Sequence, residues 1–207
     1  MQAARGASLN PSDTTDDADP AGDPPATPRR TRYLLVFGLV AALGYATDVV
    51  TKVLAVEHLT GRAPVRLVGD VLTMYLARNP GAAFSTGTSY TIVLTFVAIT
   101  AALVVLWVSR RLGSTGWAIG LGFLLAGVLG NLTDRVFRSP GFLHGHVVDF
   151  LRLPHWPIFN VADVCINIAA AVIILQAVRG VTITGLRTSR PARGSGPDRS
   201  DDPGPAS

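Results

Sequence analysis

Charge is what this chain has least of. Only 15% of its 207 residues are Asp, Glu, Lys or Arg, against about 25% in an ordinary soluble domain. With 48% apolar residues and a mean hydropathy of +0.37, that shortage argues for a membrane protein. Cysteine is nearly absent. The single Cys165 excludes an intrachain disulfide, and its place in the last apolar run reads as a buried, inert thiol. The helical zinc signature of two His four apart with a Glu is missing. So is a basic stripe interleaved with aromatics, and the net charge of +4 therefore does not read as a nucleic-acid face. The basic residues flank apolar runs, where they set orientation in a bilayer.

What is present is four apolar runs between two polar tails. The runs are Tyr33 to about Val53, Tyr90 to Val108, about Trp117 to Leu132, and Phe159 to Val178. Crossing ~30 Å of hydrocarbon takes about 20 helical residues. All four reach, the third if it extends from Leu112 to Asp134. Residues 1–28 and 183–207 hold few large apolar side chains and read as disordered tails. The expected organisation is a tail over 1–28, one four-helix transmembrane domain over 29–182, and a second tail over 183–207. Arg29, Arg30 and Arg32 before an apolar core resemble a secretory leader. The polar tail ahead of them and the three spans behind favour a retained first span.

Of the 18 Lys and Arg residues, 11 lie in the N-terminal tail, the link between spans two and three, and the C-terminal tail. The bias of cations toward the cytoplasm then puts both termini inside and the loops 54–89 and 136–158 outside. In the first outer loop Val65, Leu67, Leu72, Met74 and Leu76 alternate with other residues, which predicts short strands ahead of an Asn79-Pro80-Gly81 turn. The second outer loop, with Phe150, Leu151, Leu153 and Trp156, suits an interfacial segment. The fold class is an all-α membrane bundle of four helices with a small extracytoplasmic β element.

Ionisable residues within spans are costly, so each one is a functional candidate. Asp48 lies in the outer half of span one, Asp134 and Arg135 at the outer end of span three, and Asp163 in the first turns of span four. Span two has none. Asp149 lies in the outer loop between apolar flanks, Val147-Val148 and Phe150. Four carboxylates thus converge on one membrane face. Asn160, Asp163 and Asn167 share a helical face, as do Asn131, Asp134 and Arg135. Gly122, Ala126 and Gly130 recur every four residues, a spacing that lets helix backbones approach closely.

Two carboxylates in a partly dry site can share a proton, one activating a water while the other polarises a carbonyl. That chemistry requires no metal or cofactor. Other readings stay open on the residues alone. Asp48 with Lys52 and Asp134 with Arg135 suit structural ion pairs. His144, His146 and Asp149 suit a zinc site. A small transporter or a non-catalytic assembly subunit is also compatible with four spans.

Five ordered motifs narrow these readings. Asp48-Val-Val-Thr-Lys52, Arg78-Asn79-Pro-Gly81-Ala-Ala-Phe84, Gly130-Asn131-Leu-Thr-Asp134-Arg135, Val147-Val-Asp149-Phe150 and Phe159-Asn160-Val-Ala162-Asp163 together resemble the bacterial lipoprotein signal peptidase family, signal peptidase II, over about residues 33 to 180. The resemblance implies a catalytic pair at Asp149 and Asp163. It implies a substrate site lined by Asn79, Asn131, Arg135 and Asn160, with Asp48, Lys52, Gly81, Asp134 and Ala162 in support. It further implies a monomeric aspartic endopeptidase of the cell membrane with no metal. Its partners would be membrane lipids and prolipoproteins already carrying diacylglycerol on the cysteine before which they are cut. The chain departs from the pattern at Ala126-Gly127, where two glycines are usual, at Cys165, and in a longer Asp134–Asp149 stretch with an inserted Ser139-Pro140-Gly141 turn.

Overall fold

The computed structural model describes residues 28–81 and 89–187. The tails 1–27 and 188–207, and Ala82 to Phe84 of the second motif, lie outside the described residues. The chain runs α1 (Pro28–Leu59), β1 (Val65–Val68), β2 (Leu72–Asn79), α2 (Ser89–Ser109), α3 (Thr115–Phe137), β3 (Val147–Arg152) and α4 (Val161–Val178). All four helices are long and apolar enough to cross a membrane. Leu35, Leu39 and Leu43 form an exposed row on α1, and Val97, Leu103 and Val104 are exposed on α2. In water such faces would be a liability. Against lipid they need no cover.

α3 is the centre of the bundle, packing on α1, α2 and α4. Half of its span is buried, against 17% to 22% for the other three. Its lack of bulk makes this possible, on two faces rather than the one that the sequence spacing suggests. Toward α1, Gly122 lies against the carbonyl of Phe37, Ala126 faces Gly44, and Gly130 meets the carboxylate of Asp48. Toward α4, Gly120 faces Val172 and Ile173, and Gly127 meets the carbonyl of Ala162. A cluster of Phe37, Ala41, Val105, Leu121 and Leu125 fills the space among α1, α2 and α3.

The β element holds three strands, in the order β1-β2-β3, all antiparallel. The first two match the alternation in the sequence. The third comes from the second outer loop, in which the sequence reading sets no strand. Val147 to Phe150 are buried on both faces, so their pattern is a short apolar run with no alternation to mark a strand. Ala77 pairs with Asp149 and Asn79 with Val147. The sheet packs through Val148 and Phe150 on Ala55 and Leu59 at the end of α1.

The opposite end of the bundle is tied by polar contacts. Arg30 Nη2 donates to the carbonyl of Arg110 (2.7 Å), and Trp117 Nε1 to that of Val181 (2.8 Å). The Gly113 amide donates to Ile183 O (2.9 Å), and a turn closes through a Val181–Arg187 bridge. The described chain thus reaches Arg187.

Gly127→Val puts a branched side chain into the backbone of Ala162. It is expected to cost about 1–3 kcal/mol or more and to lower the thermal unfolding midpoint of the purified protein by several degrees. At Gly38, inside α1, an added Cβ meets nothing within 4 Å, so Gly38→Ala leaves the midpoint unlowered or raises it slightly. Equal midpoints for the two variants would remove the close α3–α4 approach from the account.

Candidate active site

The site begins with a buried lysine. Asp48 and Lys52 stand one turn apart on α1 and are 0% and 1% exposed. Lys52 Nζ lies 2.8 Å from Asp48 Oδ2 and 2.9 Å from Asp134 Oδ2, and it donates to Asn131 Oδ1 (3.0 Å). The ammonium thus pairs with two carboxylates and bonds to one carboxamide, while Asp48 Oδ2 meets it as an ion pair without a hydrogen bond of its own. Asp134 also pairs with the guanidinium of Arg138. Two acids and two bases form a neutral cluster, the form in which charge tolerates burial.

Asp134 was expected beside Arg135, its neighbour in sequence, but its partners are Lys52 and Arg138. On a helix, adjacent residues point about 100° apart, whereas i and i+4 share a face. Arg138 sits at i+4, just past the end of α3, where a span that stops at Asp134 leaves it in the loop. Arg135 has a buried Nη1 without a hydrogen-bond partner. It feels the charges of Asp149, Asp134 and Asp163.

Each acid of the cluster grips a backbone amide next to another acid. Asp48 Oδ1 accepts from Ala162 N (2.8 Å), one residue before Asp163. Asp134 Oδ2 accepts from Val148 N (3.1 Å), one residue before Asp149. The cluster therefore fixes the start of α4 and the middle of β3 relative to one another.

Asn160 joins the two remaining acids. It is the N-cap of α4 rather than a member of its face, and with Asp163 it forms a capping box. Its Oδ1 accepts from Asp163 N (3.0 Å), and its amide donates to Asp163 Oδ2 (3.1 Å). Its Nδ2 donates to Asp149 Oδ1 (2.6 Å) and to Asn131 Oδ1 (3.1 Å). Asn131 Nδ2 completes the ring by donating to Asp163 Oδ1 (2.9 Å). Across the sheet, Asn79 Nδ2 donates to Asp149 Oδ2 (2.9 Å). Asn79 is held by the Gly81 amide, which donates to its Oδ1 (2.8 Å), in a turn where Gly81 has φ +107°, a value that favours glycine.

Asp149, Asp163 and Asn79 open onto one cavity of about 610 Å³. Trp156 and Phe159 wall it near the acids, and Val164 and Ile168 extend it along α4. Sequence reasoning did not place these apolar walls at the site. Burial pushes the Asp149 carboxyl up to about 6. Asp163 adds to the rise, and the bonds from Asn79 and Asn160 oppose it. A carboxyl raised that far titrates close to the working pH, as acid–base work requires. His144 and His146 lie in the turn before β3, with His144 Nδ1 near Phe142 O. Among the described residues no three His, Cys, Asp or Glu side chains group as a metal site.

Comparison with known proteins gives matches across this region. A model of the family described as signal peptidase (SPase) II matches residues 40–179. The lipoprotein signal peptidase of Mycobacterium tuberculosis (strain ATCC 25618 / H37Rv) is 47% identical over 175 residues, 84% of this chain and 85% of that one. That of Mycolicibacterium smegmatis is 46% identical over 187 residues, 90% of this chain and 79% of that one. A solved bacterial membrane enzyme, determined by the in meso method at 1.9 Å, superposes with a TM-score of 0.61 at 25% identity, covering 68% of this chain and 91% of that one.

Lys52→Met is expected to destabilise the protein by about 3–5 kcal/mol, because it strands Asp48 and Asp134 as buried charges short of a partner. Loss of thermal stability of the purified variant checks this. An unchanged unfolding midpoint would show that Arg138 alone holds the cluster.

Proposed function

The chain belongs to the signal peptidase II family, whose members remove signal peptides from prolipoproteins, and we propose that it does so as an aspartic endopeptidase with Asp149 and Asp163 as its catalytic pair. The observation that carries this reading is the Asn160 bridge. One side chain and its own amide reach a carboxylate on β3 and another on α4, and both acids line the same cavity.

The pair holds one proton at the start. Its ionised member takes a proton from a water as that water attacks the scissile carbonyl carbon. Its protonated member donates to the carbonyl oxygen as charge develops there. The resulting diol collapses, a proton passes to the leaving amine, and the pair is again left with a single proton. Neither acid is assigned the proton, since coupled groups titrate together. In this reading Asn79, Asn131, Arg135 and Asn160 line the substrate, with the free Nη1 of Arg135 available to a substrate carbonyl. Gly81 and Ala162 support the site through their amides.

Polar acids at one end of the cavity and an apolar wall along α4 suit a substrate cut beside its lipidated cysteine. The charge distribution supports an outward-facing site and cytoplasmic termini. Arg30, Arg32, Arg110, Arg111, Arg179 and Arg187 are exposed at the end away from the sheet, where no acid stands among the described residues.

Asp149→Asn and Asp163→Asn are each expected to lower kcat by about 10³-fold or more, with diacylglyceryl-modified prolipoprotein as substrate and thermal stability retained. Cleavage at near wild-type rate by either variant would remove that residue from the pair. The pH profile supplies a second expectation. Burial lifts Asp149 to about 6, and a pair that takes up a second proton there has no base left for the water. The rate therefore falls as pH drops through about 6. A rate independent of pH between 5 and 7 would contradict this.

A further inference from the structure

α2 (Ser89–Ser109) carries no charged residue and packs chiefly on α3. By composition it reads as filler between bundle and lipid. Two of its side chains say otherwise. Thr91 and Thr95 are 1% and 0% exposed. A helical threonine usually bonds back within its own helix, as Thr100 does to Phe96 O (2.9 Å). Thr91 Oγ1 instead donates out of α2 to the carbonyl of Pro80 (2.6 Å). Thr95 Oγ1, 2.8 Å from Thr91 O and 2.9 Å from Leu143 O, shares its proton between its own helix and a second loop.

The two loop carbonyls are not arbitrary ones. Pro80 directly follows Asn79, the last residue of β2. Leu143 lies four residues before Val147, the first of β3, and Asn79 and Val147 are register partners. One turn of α2 thus clasps both chains where the β2–β3 pair ends. Leu143 has φ +63°, a left-handed conformation that leucine adopts at a cost, and the Thr95 hydroxyl helps to hold it. On the other side of Pro80, Asn79 makes its 2.9 Å bond to Asp149.

We propose that Thr91 and Thr95 are positioning residues, which set the Asn79 carboxamide on Asp149 by pinning the Pro80 and Leu143 carbonyls to α2. The inference rests on the peptidase reading above. Removing either hydroxyl takes the side-chain donor from a part-buried loop carbonyl. The turn then relaxes and the Asn79 bond lengthens. That bond favours the ionised carboxylate, so weakening it moves the acid limb of the pH–rate profile to higher pH. The other groups around Asp149 are Asn160 and Asp163 on α4, Lys52 on α1 and Arg135 on α3. α2 touches none of them through these threonines.

The test uses the purified full chain with a diacylglyceryl-modified prolipoprotein. Thr91→Val and Thr95→Val are expected to lower kcat about tenfold, the scale of one well-placed hydrogen bond. KM should stay within twofold and the acid limb should move upward. Thr91→Ser and Thr95→Ser keep the hydroxyl and restore both readouts. Thr100→Val, with its bond inside α2, changes nothing. In an Asn79→Ala background Thr91→Val is expected to shift the limb no further, since both act through one bond. An unmoved acid limb in folded valine variants overturns the proposal. Should the valine variants fail to fold, Asn79→Ala carries the test, and an acid limb that this folded variant leaves unmoved overturns the proposal, because the bond the threonines are held to set then has no hold on Asp149. If instead the wild-type chain does not cleave, or Asp163→Asn cleaves as well as wild type, the peptidase reading is what fails.

Discussion

One ammonium group organises this protein. Lys52 Nζ stands between Asp48 and Asp134, bonds to Asn131, and is all but closed off from solvent. A lone ion at the centre of a transmembrane helix costs about 2.5–3.5 kcal/mol on insertion scales, and a buried ion without partners is costly at any depth. The cluster tolerates it by matching the ammonium with two carboxylates and a carboxamide oxygen. Because matching fixes geometry, the same contacts that make burial tolerable also set distances. Asp48 cannot serve Lys52 and Ala162 at once unless α1 and α4 hold their separation. Asp134 cannot serve Lys52, Arg138 and Val148 unless β3 lies where it does. The site acids inherit their placement from this constraint, each one residue along the chain from a gripped amide.

The α3 helix makes the constraint compatible with packing. Gly130 leaves room for the Asp48 carboxylate, and Gly127 admits the first turn of α4. In lipid there is no hydrophobic drive to press helices together, so close approach and interhelical hydrogen bonds must do it. The small residues and the polar cluster are therefore two parts of one device. The first brings backbones near enough for short side chains to meet. The second gives them a reason to stay.

How much of this the sequence carried depends on the kind of signal each residue gives. Asp48, Asp134 and Asp163 stand out because a charge in an apolar run is rare, and counting helical rise puts them at one end of the bundle. Spacing also links Asp48 to Lys52. Asp149 is legible only as an oddity, an acid among Val147, Val148 and Phe150, because a strand buried on both faces has no alternation to announce it. The capping role of Asn160 is hidden for a related reason. At i−3 from Asp163 it fits a helical face as well as a cap, and only the backbone at its own position decides. Arg138 was lost to a boundary, since ending α3 at Asp134 puts it in the loop and removes the i+4 relation to that acid.

Thr91 and Thr95 mark the further limit of sequence reading. Hydroxyls are cheap in a transmembrane helix because they can bond back to their own backbone, so their presence in a span carries no warning that the bond goes elsewhere. The distinction depends on what lies opposite, here a carbonyl after Asn79 and another before Val147. A charged residue in a span must find a partner and so reveals that a site exists. A hydroxyl has an alternative, and so it conceals its part in one. α2 is the helix of this bundle with no charged residue, yet it holds the ends of both strands from which Asn79 and Asp149 meet. Apolar composition is therefore no measure of a helix's distance from the chemistry.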